Sequence, residues 1–260
     1  MAKLSAIRKK EREKRKAARE RFKVTKSVAS KYERQLRSVA KQIGSIVNGI
    51  APGGEIKDVG KLTEALRQYS VLLKPWAESV ASRMIAEADQ RDQRKWQQAA
   101  QEIGQEMRKE LQTTPIGKTF QELMAEQVTL ITSLPLDAAE RVHRLTMQAM
   151  VEGRRAPEVA REIMRSGQVS TSRAMLIART EVARTASVLT ESRAKYIGSD
   201  TYIWRTSGDS DVRELHRRLE GQVIRWDAPP IAGENGERAH AGQIYNCRCY
   251  PEPILPDIIE

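Results

Sequence analysis

The sequence predicts a mostly α-helical protein of the α+β class, with a long helical N-terminal region followed by a small mixed α/β C-terminal domain. Apolar residues recur every three or four positions along most of the first 197 residues, as on one face of a helix. After Gly198, short β-like runs alternate with turns rich in Gly and Pro. Charged residues make up 30% of the chain and Phe occurs twice, which favours long exposed helices over one thick core.

Positive charge is concentrated in the first of three predicted segments, which are a basic helical arm (1–48), a helical domain (55–150) and a C-terminal domain (151–260). Residues 1–41 hold sixteen Lys and Arg against four Glu, a net charge of +12, whereas the other residues carry a net charge of −1. Such an arm suits a polyanion, either a nucleic acid such as double-stranded DNA or an acidic protein surface. The predicted nucleic-acid contacts are Arg8, Lys9, Lys10, Arg12, Lys14, Arg15, Lys16, Arg19 and Arg21.

Proline and glycine punctuate the helical region. The first helix is predicted over 4–48, with an amphipathic stripe from Val24 onwards. Pro75 is expected to open a new helix, because the first helical turn tolerates a missing N–H. Pro135 is expected to separate two shorter helices. The predicted helices after the arm are 58–73, 75–111, 116–133 and 137–151, the last one ending at Gly153.

The C-terminal domain is predicted to combine helices with short strands. Gly167 should end a short helix, and Ser170, Thr171 and Ser172 offer N-cap oxygens for a long helix that reaches Ile197. Asp209 and Ser210 are expected to cap a further short helix that carries Arg213 and His216. The remaining predicted elements are a helix at 157–166 and strands at 202–204 and 222–226.

Soft and borderline metal ligands crowd into the last part of the chain. Both cysteines, Cys247 and Cys249, and two of the three histidines, His216 and His240, lie there. Cys and neutral His are the side chains that bind zinc best, and a tetrahedral set of two Cys and two His is a closed structural site. The residues therefore fit a structural zinc ion, although zinc sites more often space their cysteines by two to four residues.

The same residues also fit a metal-free arrangement. The two cysteines would then point to one side of a strand and pack against Trp204 or Trp226, while Arg248 would point to the other side, towards a carboxylate. The histidines would form hydrogen bonds with nearby carbonyl groups. Two cysteines without an export signal suggest a reducing compartment. No run of eighteen apolar residues occurs, so no membrane anchor is expected.

Short signatures between Val151 and Pro253 resemble the phage Mu protein F-like domain of minor head proteins. They are, in order, Gly153, Arg179-Thr180-Glu181, Gly198, Trp204, Arg213 with His216, Leu219 with Gly221, Pro229-Pro230, His240-Ala241-Gly242-Gln243, Cys247-Arg248-Cys249 and Pro251. Family members usually have a proline where this chain has Ala241. The resemblance implies structural roles for Arg179, Thr180, Glu181, Trp204, Arg213, Gly221, Gly242 and Arg248.

The resemblance also implies a function in the virion. Similar proteins act in phage head morphogenesis, some associate with the portal, and some bind DNA. We therefore expect a non-enzymatic minor capsid protein without catalytic residues, located in the capsid interior or portal region and assembled in the bacterial cytoplasm. Its expected partners are the portal or other head proteins and double-stranded DNA.

Two other functions compete with this interpretation. The basic arm alone would suit a plain nucleic-acid-binding protein. A metal-dependent nuclease could use His216 and His240 with Asp209, Asp211 or Glu214, although no paired-carboxylate motif follows a strand. A transferase that uses Arg179 and Glu181 is disfavoured, because the two residues point in different directions from one helix.

Overall fold

The computed structural model describes residues 13, 16, 21–23, 26–50, 58–100, 115–152 and 156–256. Its helices are α1 (Lys26–Ile50), α2 (Val59–Ala100), α3 (Gly117–Glu152), α4 (Ala156–Met164), α5 (Ser166–Tyr196) and α6 (Glu214–Leu219). Its strands are β1 (Thr201–Arg205), β2 (Val223–Arg225) and β3 (Tyr250–Pro253). The predicted mostly α-helical, α+β class is confirmed. None of the described helices is apolar over a stretch long enough to cross a membrane.

Helix α1 carries the predicted apolar stripe on its buried face. The buried side chains are Val28, Tyr32, Leu36, Val39, Ala40, Ile43 and Val47. The prediction of one continuous helix from 4 to 48 is wrong at Arg21 and Phe22, which form a turn. Phe22 is buried edge-to-face against Trp96, with 5.2 Å between ring centroids, and its carbonyl accepts a hydrogen bond from Lys95. The predicted helix ends at Leu111 and Gly153 lie outside the described residues.

Pro75 does not open a helix, contrary to prediction, but lies inside the continuous helix α2. It is exposed, and so is Val71, whose carbonyl would have accepted the missing N–H bond. Because this side of the helix faces solvent, water can satisfy the freed carbonyl. The helix therefore continues past a residue that normally interrupts one.

Pro135 likewise lies inside helix α3, so the prediction of two helices separated at this residue is wrong. Here the proline is buried, and water cannot satisfy the distorted turn before it. Ser70 of α2 supplies a hydrogen bond instead, from its hydroxyl to the carbonyl of Thr132 at 2.7 Å. This donor on a neighbouring helix reaches the carbonyl next to that of Ile131, whose helical hydrogen bond the proline removes.

Helix α5 begins at Ser166, four residues before the predicted N-caps, so Ser170, Thr171 and Ser172 lie inside the helix. Gly167 does not terminate structure but allows close packing. A Cβ atom at Gly167 would lie 2.9 Å from the Cα of Gly44 on α1, which is too close for any larger side chain. The sequence pattern around Gly167 is typical of a helix end. The close contact with Gly44 is instead what requires glycine at this position.

Three short strands form an antiparallel sheet in the order β2-β1-β3. The predicted strands at 202–204 and 222–226 are present as β1 and β2, whereas β3 was not predicted because it contains Pro251 and Pro253. Strand β3 is an edge strand in which Pro251 pairs with Trp204 and Pro253 with Tyr202. The neighbouring Ile254 donates its N–H to the Thr201 carbonyl. Pro251 and Pro253 occupy the alternate positions, so their backbone nitrogens point away from β1 and no pairing hydrogen bond is lost.

Helix α6 begins at Glu214 after Arg213, and no side chain caps it. The prediction that Asp209 and Ser210 cap this helix is therefore wrong. Asp209 instead accepts a hydrogen bond from the N–H of Asp211 in the preceding turn. The Asp209 carboxylate thus has a hydrogen-bond donor within the turn and does not cap α6.

The chain folds into two compact units, each built from separated stretches. One unit comprises Met1–Thr25, Ile85–Gln121 and Thr180–Glu260, and the other comprises Lys26–Met84 and Glu122–Arg179. We call the first the sheet unit. Its core contains Trp96, Tyr202, Trp204, Trp226, Tyr250 and both cysteines, together with smaller apolar residues.

Candidate functional site

A cluster of one imidazole and two thiols lies in the core of the sheet unit. Helix α6 supplies His216, and the segment that leads into β3 supplies Cys247 and Cys249. Each of the three residues is 2% exposed. The Nδ1 atom of His216 lies 3.6 Å from the sulfur of Cys247 and 3.5 Å from the sulfur of Cys249. We call these three residues the thiol–imidazole cluster.

The other polar groups around the cluster fix its orientation. The second ring nitrogen of His216, Nε2, lies 2.9 Å from the carbonyl oxygen of Ala232, so Nε2 carries the proton and Nδ1 faces the sulfurs. The N–H of Cys249 donates to the sulfur of Cys247 at 3.4 Å. The indole N–H of Trp204 is buried without a hydrogen-bond acceptor among the described residues.

Proton affinities within the cluster are strongly perturbed. The pKa of Cys247 is lowered to about 4, chiefly because the thiol of Cys249 donates a hydrogen bond to its sulfur, with a further contribution from His216. The same hydrogen bond, together with burial, raises the pKa of Cys249. Burial alone would lower the pKa of His216, but the hydrogen bond and charge of Cys247 outweigh it and raise the pKa.

His240, the fourth residue of the predicted zinc site, lies apart from the cluster. Its Nδ1 atom is 3.2 Å from the hydroxyl of Tyr202, and its ring packs edge-to-face on Trp226. Its Nε2 atom is 3.9 Å from Glu191. Burial lowers the pKa of His240, which keeps the ring neutral near pH 7. The structure thus brings together three of the four predicted ligands.

Several residues of the family signatures hold the C-terminal loop against helix α5. The hydroxyl of Thr180 accepts a hydrogen bond from the N–H of Asn246 at 3.0 Å. Gln243 donates to Glu191 at 2.9 Å. Gly242 has a φ of +87°, and a Cβ atom built there would lie 2.8 Å from the carbonyl oxygen of Cys249 and 3.3 Å from that of Ala183. These contacts give structural reasons for signatures that are about sixty residues apart in the sequence.

The remaining signature residues organise the region around α6. Arg213 donates to the carbonyl of Tyr245 at 3.0 Å, and Gly221, with a φ of +81°, donates its N–H to the carbonyl of Trp204. Arg248 donates to Asp209 at 2.8 Å and to Asp211 at 3.2 Å. The expectation that Arg248 points towards a carboxylate, away from the buried cysteines, is confirmed.

An open cavity of about 430 Å³ lies beside this loop, and we call it the Glu181 cavity. Glu181 is 7% exposed and forms an ion pair with Arg184 at 3.7 Å. Arg179, by contrast, is exposed, so it does not line this cavity with Glu181. The residues lining the cavity are Thr180, Glu181, Arg184, Pro229, Arg238, Ala239, His240, Gln243 and Tyr245.

The acids considered for a nuclease lie at the surface, in ion pairs. Asp209 and Asp211 pair with Arg248, and Glu214 lies within 4 Å of two arginines of its own helix. His216 is buried and turns its free nitrogen towards the two thiols. The structure therefore gives no carboxylate from this set the position of a metal ligand beside the histidines.

A buried ion-pair network was not predicted from the sequence. Arg193 of α5 donates to Asp92 and to Asp89 of α2, each at 2.6 Å, and Thr190 donates to Asp92 at 2.6 Å. Arg193 is 3% exposed and Asp92 is 1% exposed. Burial would lower the pKa of Arg193, but the two aspartates outweigh it and raise the pKa. The sequence gives only a weak signal of this network, because its charged residues lie on two helices that are far apart in the chain.

Most of the predicted nucleic-acid contacts in the arm lie outside the described residues. Those seven are Arg8, Lys9, Lys10, Arg12, Lys14, Arg15 and Arg19. Lys16 is exposed, whereas Arg21 is half-buried.

The stretch that contains the signature residues matches a known protein family. Residues 140–251 match the family model described as phage Mu protein F like protein. The predicted resemblance is confirmed. The family match supports a phage head protein.

Two curated proteins are similar to the chain. An uncharacterized protein of Haemophilus influenzae is 28% identical over 222 residues, covering 84% of this chain and 48% of that protein. A protein of Enterococcus faecalis named NAD(+)–arginine ADP-ribosyltransferase EFV is 30% identical over 131 residues, covering 47% of this chain and 27% of that protein. The chain thus spans about half the length of the first relative and less of the second. No solved structure matches the chain significantly.

Proposed function

We propose that the protein is a non-enzymatic minor capsid protein of a tailed phage or prophage that acts in head morphogenesis and associates with the portal. The observation that supports this function most strongly is the family match over residues 140–251. The matched stretch contains β1, β2 and the start of β3, together with the thiol–imidazole cluster and the Glu181 cavity. Its proposed location is the capsid interior or portal region, after assembly in the bacterial cytoplasm.

The chemistry of the sheet unit favours a structural role over catalysis. The nucleophilic and basic groups of the thiol–imidazole cluster are each 2% exposed, so a substrate cannot reach them. Glu181 pairs with Arg184, and Asp209 and Asp211 pair with Arg248. We do not extend the transferase activity of the Enterococcus relative to this chain, because the aligned residues cover 27% of that protein.

The first test is association with the portal. We expect the purified chain to sediment with assembled portal rings of the same phage in physiological salt. A variant lacking residues 1–20 should still sediment, since α1 and the greater part of both compact units remain. Binding by the full chain that disappears with this deletion would assign the contact to the basic arm rather than the body. A chain that stays in the supernatant with rings and with proheads would contradict portal association.

The second test concerns DNA. We propose that the arm contacts packaged double-stranded DNA, since residues 1–41 carry a net charge of +12. Replacing five arm residues with Gln should weaken DNA binding at least tenfold and reduce the salt dependence by about 0.9 log unit per lost phosphate contact. The arm variant changes Arg8, Lys9, Lys10, Arg12 and Lys14.

A matched control removes the same charge from the body. It changes five exposed residues of the helices outside the arm to Gln, namely Lys61, Arg67, Lys74, Arg83 and Arg144. Fluorescence anisotropy with a labelled duplex, measured at several salt concentrations, compares the two variants. Equal loss of affinity in both would show that net charge, and not the arm, determines binding.

A further inference from the structure

The thiol–imidazole cluster has the spacing of a tetrahedral metal site. The three candidate ligand atoms lie within 4.8 Å of one another. Zinc binds thiolate sulfur at about 2.3 Å and imidazole nitrogen at about 2.0–2.1 Å, which places a nitrogen and a sulfur about 3.5 Å apart across a tetrahedral angle. The observed separations between Nδ1 of His216 and the two sulfurs are 3.6 and 3.5 Å. Both nitrogen–sulfur separations are therefore those of two ligands of a single tetrahedral ion.

The groups around the cluster are those that hold metal ligands in place. A histidine bound to a metal usually donates its other N–H to a carbonyl or carboxylate, and His216 donates to Ala232. The sulfur of Cys247 already accepts the N–H of Cys249. The ring of Trp204 packs edge-to-face on His216, with 5.4 Å between ring centroids, and its buried indole N–H lacks an acceptor among the described residues. A metal-bound thiolate at Cys249 would give this N–H an anionic partner.

The charges of the cluster are also compatible with a divalent cation. Nδ1 of His216 has one lone pair, so it can accept a proton from one of the two thiols but not from both. When zinc binds, both thiols release their protons to solvent, and the two thiolates neutralise the charge of the ion. A neutral site is compatible with full burial, whereas an isolated charge would be expensive there.

We propose that Nδ1 of His216 and the sulfurs of Cys247 and Cys249 bind one zinc ion that ties helix α6 to the segment entering β3. A water molecule completes the tetrahedron, because His240 is held by Tyr202 and Trp226. Burial of the ligands leaves no room for a substrate, so the metal is structural. The site differs from the four-ligand set predicted from the sequence, and it does not depend on the proposed role in the phage head.

Elemental analysis of reduced, untagged protein tests the proposal directly. We expect about one zinc per chain. Because metal binding and folding are coupled at a structural site, the bound ion should also stabilise the fold. Removal by a chelator should lower the melting temperature, and adding zinc should restore it. Replacement with cobalt should produce visible bands of a tetrahedral ion and a near-ultraviolet band from thiolate ligands. A folded, reduced wild-type chain that takes up neither zinc nor cobalt would overturn the proposal without any variant.

Variants then assign the ligands. Cys247→Ser, Cys249→Ser and His216→Gln should each lose most of the bound metal and weaken the cobalt bands. His240→Gln is the matched control, because it removes a second buried imidazole from the same core. It should keep one zinc per chain and an unchanged cobalt spectrum. Loss of metal in this variant, with the fold retained by circular dichroism, would show that the ligand set is wrong.

Discussion

Replacement of Arg193 with Met is expected to lower the free energy of unfolding by about 3–5 kcal/mol, because it leaves the buried carboxylate of Asp92 without its charged partner. Both side chains are almost completely buried, so solvent cannot screen the charge that remains. Urea denaturation followed by tryptophan fluorescence measures the effect, since Trp96, Trp204 and Trp226 all lie in the core of the same unit.

Two further variants distinguish a buried ion pair from a general effect of losing an arginine. Arg218 is 74% exposed and pairs with Glu214, so Arg218→Met should change the free energy of unfolding by at most about 0.5 kcal/mol. The double variant Asp92→Leu with Arg193→Met removes both charges and should be more stable than Arg193→Met alone. Wild-type stability of the single Arg193 variant would contradict the importance of the network.

Replacement of Gly242 with Ala should cost roughly 2–4 kcal/mol, from left-handed backbone strain combined with overpacking. The φ of Gly242 is +87°, and a Cβ atom would lie 2.8 Å from the carbonyl oxygen of Cys249 and 3.3 Å from that of Ala183. Both obstacles are backbone atoms, which cannot move aside like the end of a flexible side chain. Thermal and chemical denaturation of the purified variant provide the measurement.

Gly236 offers a control with the same backbone conformation. Its φ is also +87°, but nothing lies within 4 Å of a Cβ atom built there. Gly236→Ala should therefore cost only the conformational strain of about 1–2 kcal/mol. The difference between the two variants isolates the close approach of Gly242 to the loop. If both variants lost the same stability, the steric argument would fail.

The helical stripes and the first two strands could be predicted because they depend on local periodicity. The secondary structure predicted around three prolines was wrong, and each time the physical reason lies outside the local sequence. Exposure to water allows Pro75 within α2, Ser70 supports the turn before Pro135, and an outward-facing register allows Pro251 within a strand. Each reason involves a partner or a solvent-facing side that a single stretch of sequence does not reveal.

The candidate site could be predicted in its residue types but not in its grouping. Three ligands of the expected set meet, because α6 and the segment before β3 converge on Trp204. His240 could not be separated from them by sequence, since its partners Tyr202 and Trp226 come from two different strands or their ends. The pairing of Asp92 with Arg193 was equally hidden, since 101 positions separate them in the chain.

The prolines of β3 also have a consequence for crowding. Their positions on the outer margin of the sheet present no N–H donors to a passing extended chain, so this margin is a poor template for intermolecular strand pairing. Copies of the chain confined at high concentration would therefore not associate with one another through this edge of the sheet. Pro251→Val together with Pro253→Val would restore two donors and, with them, a route to polymerisation.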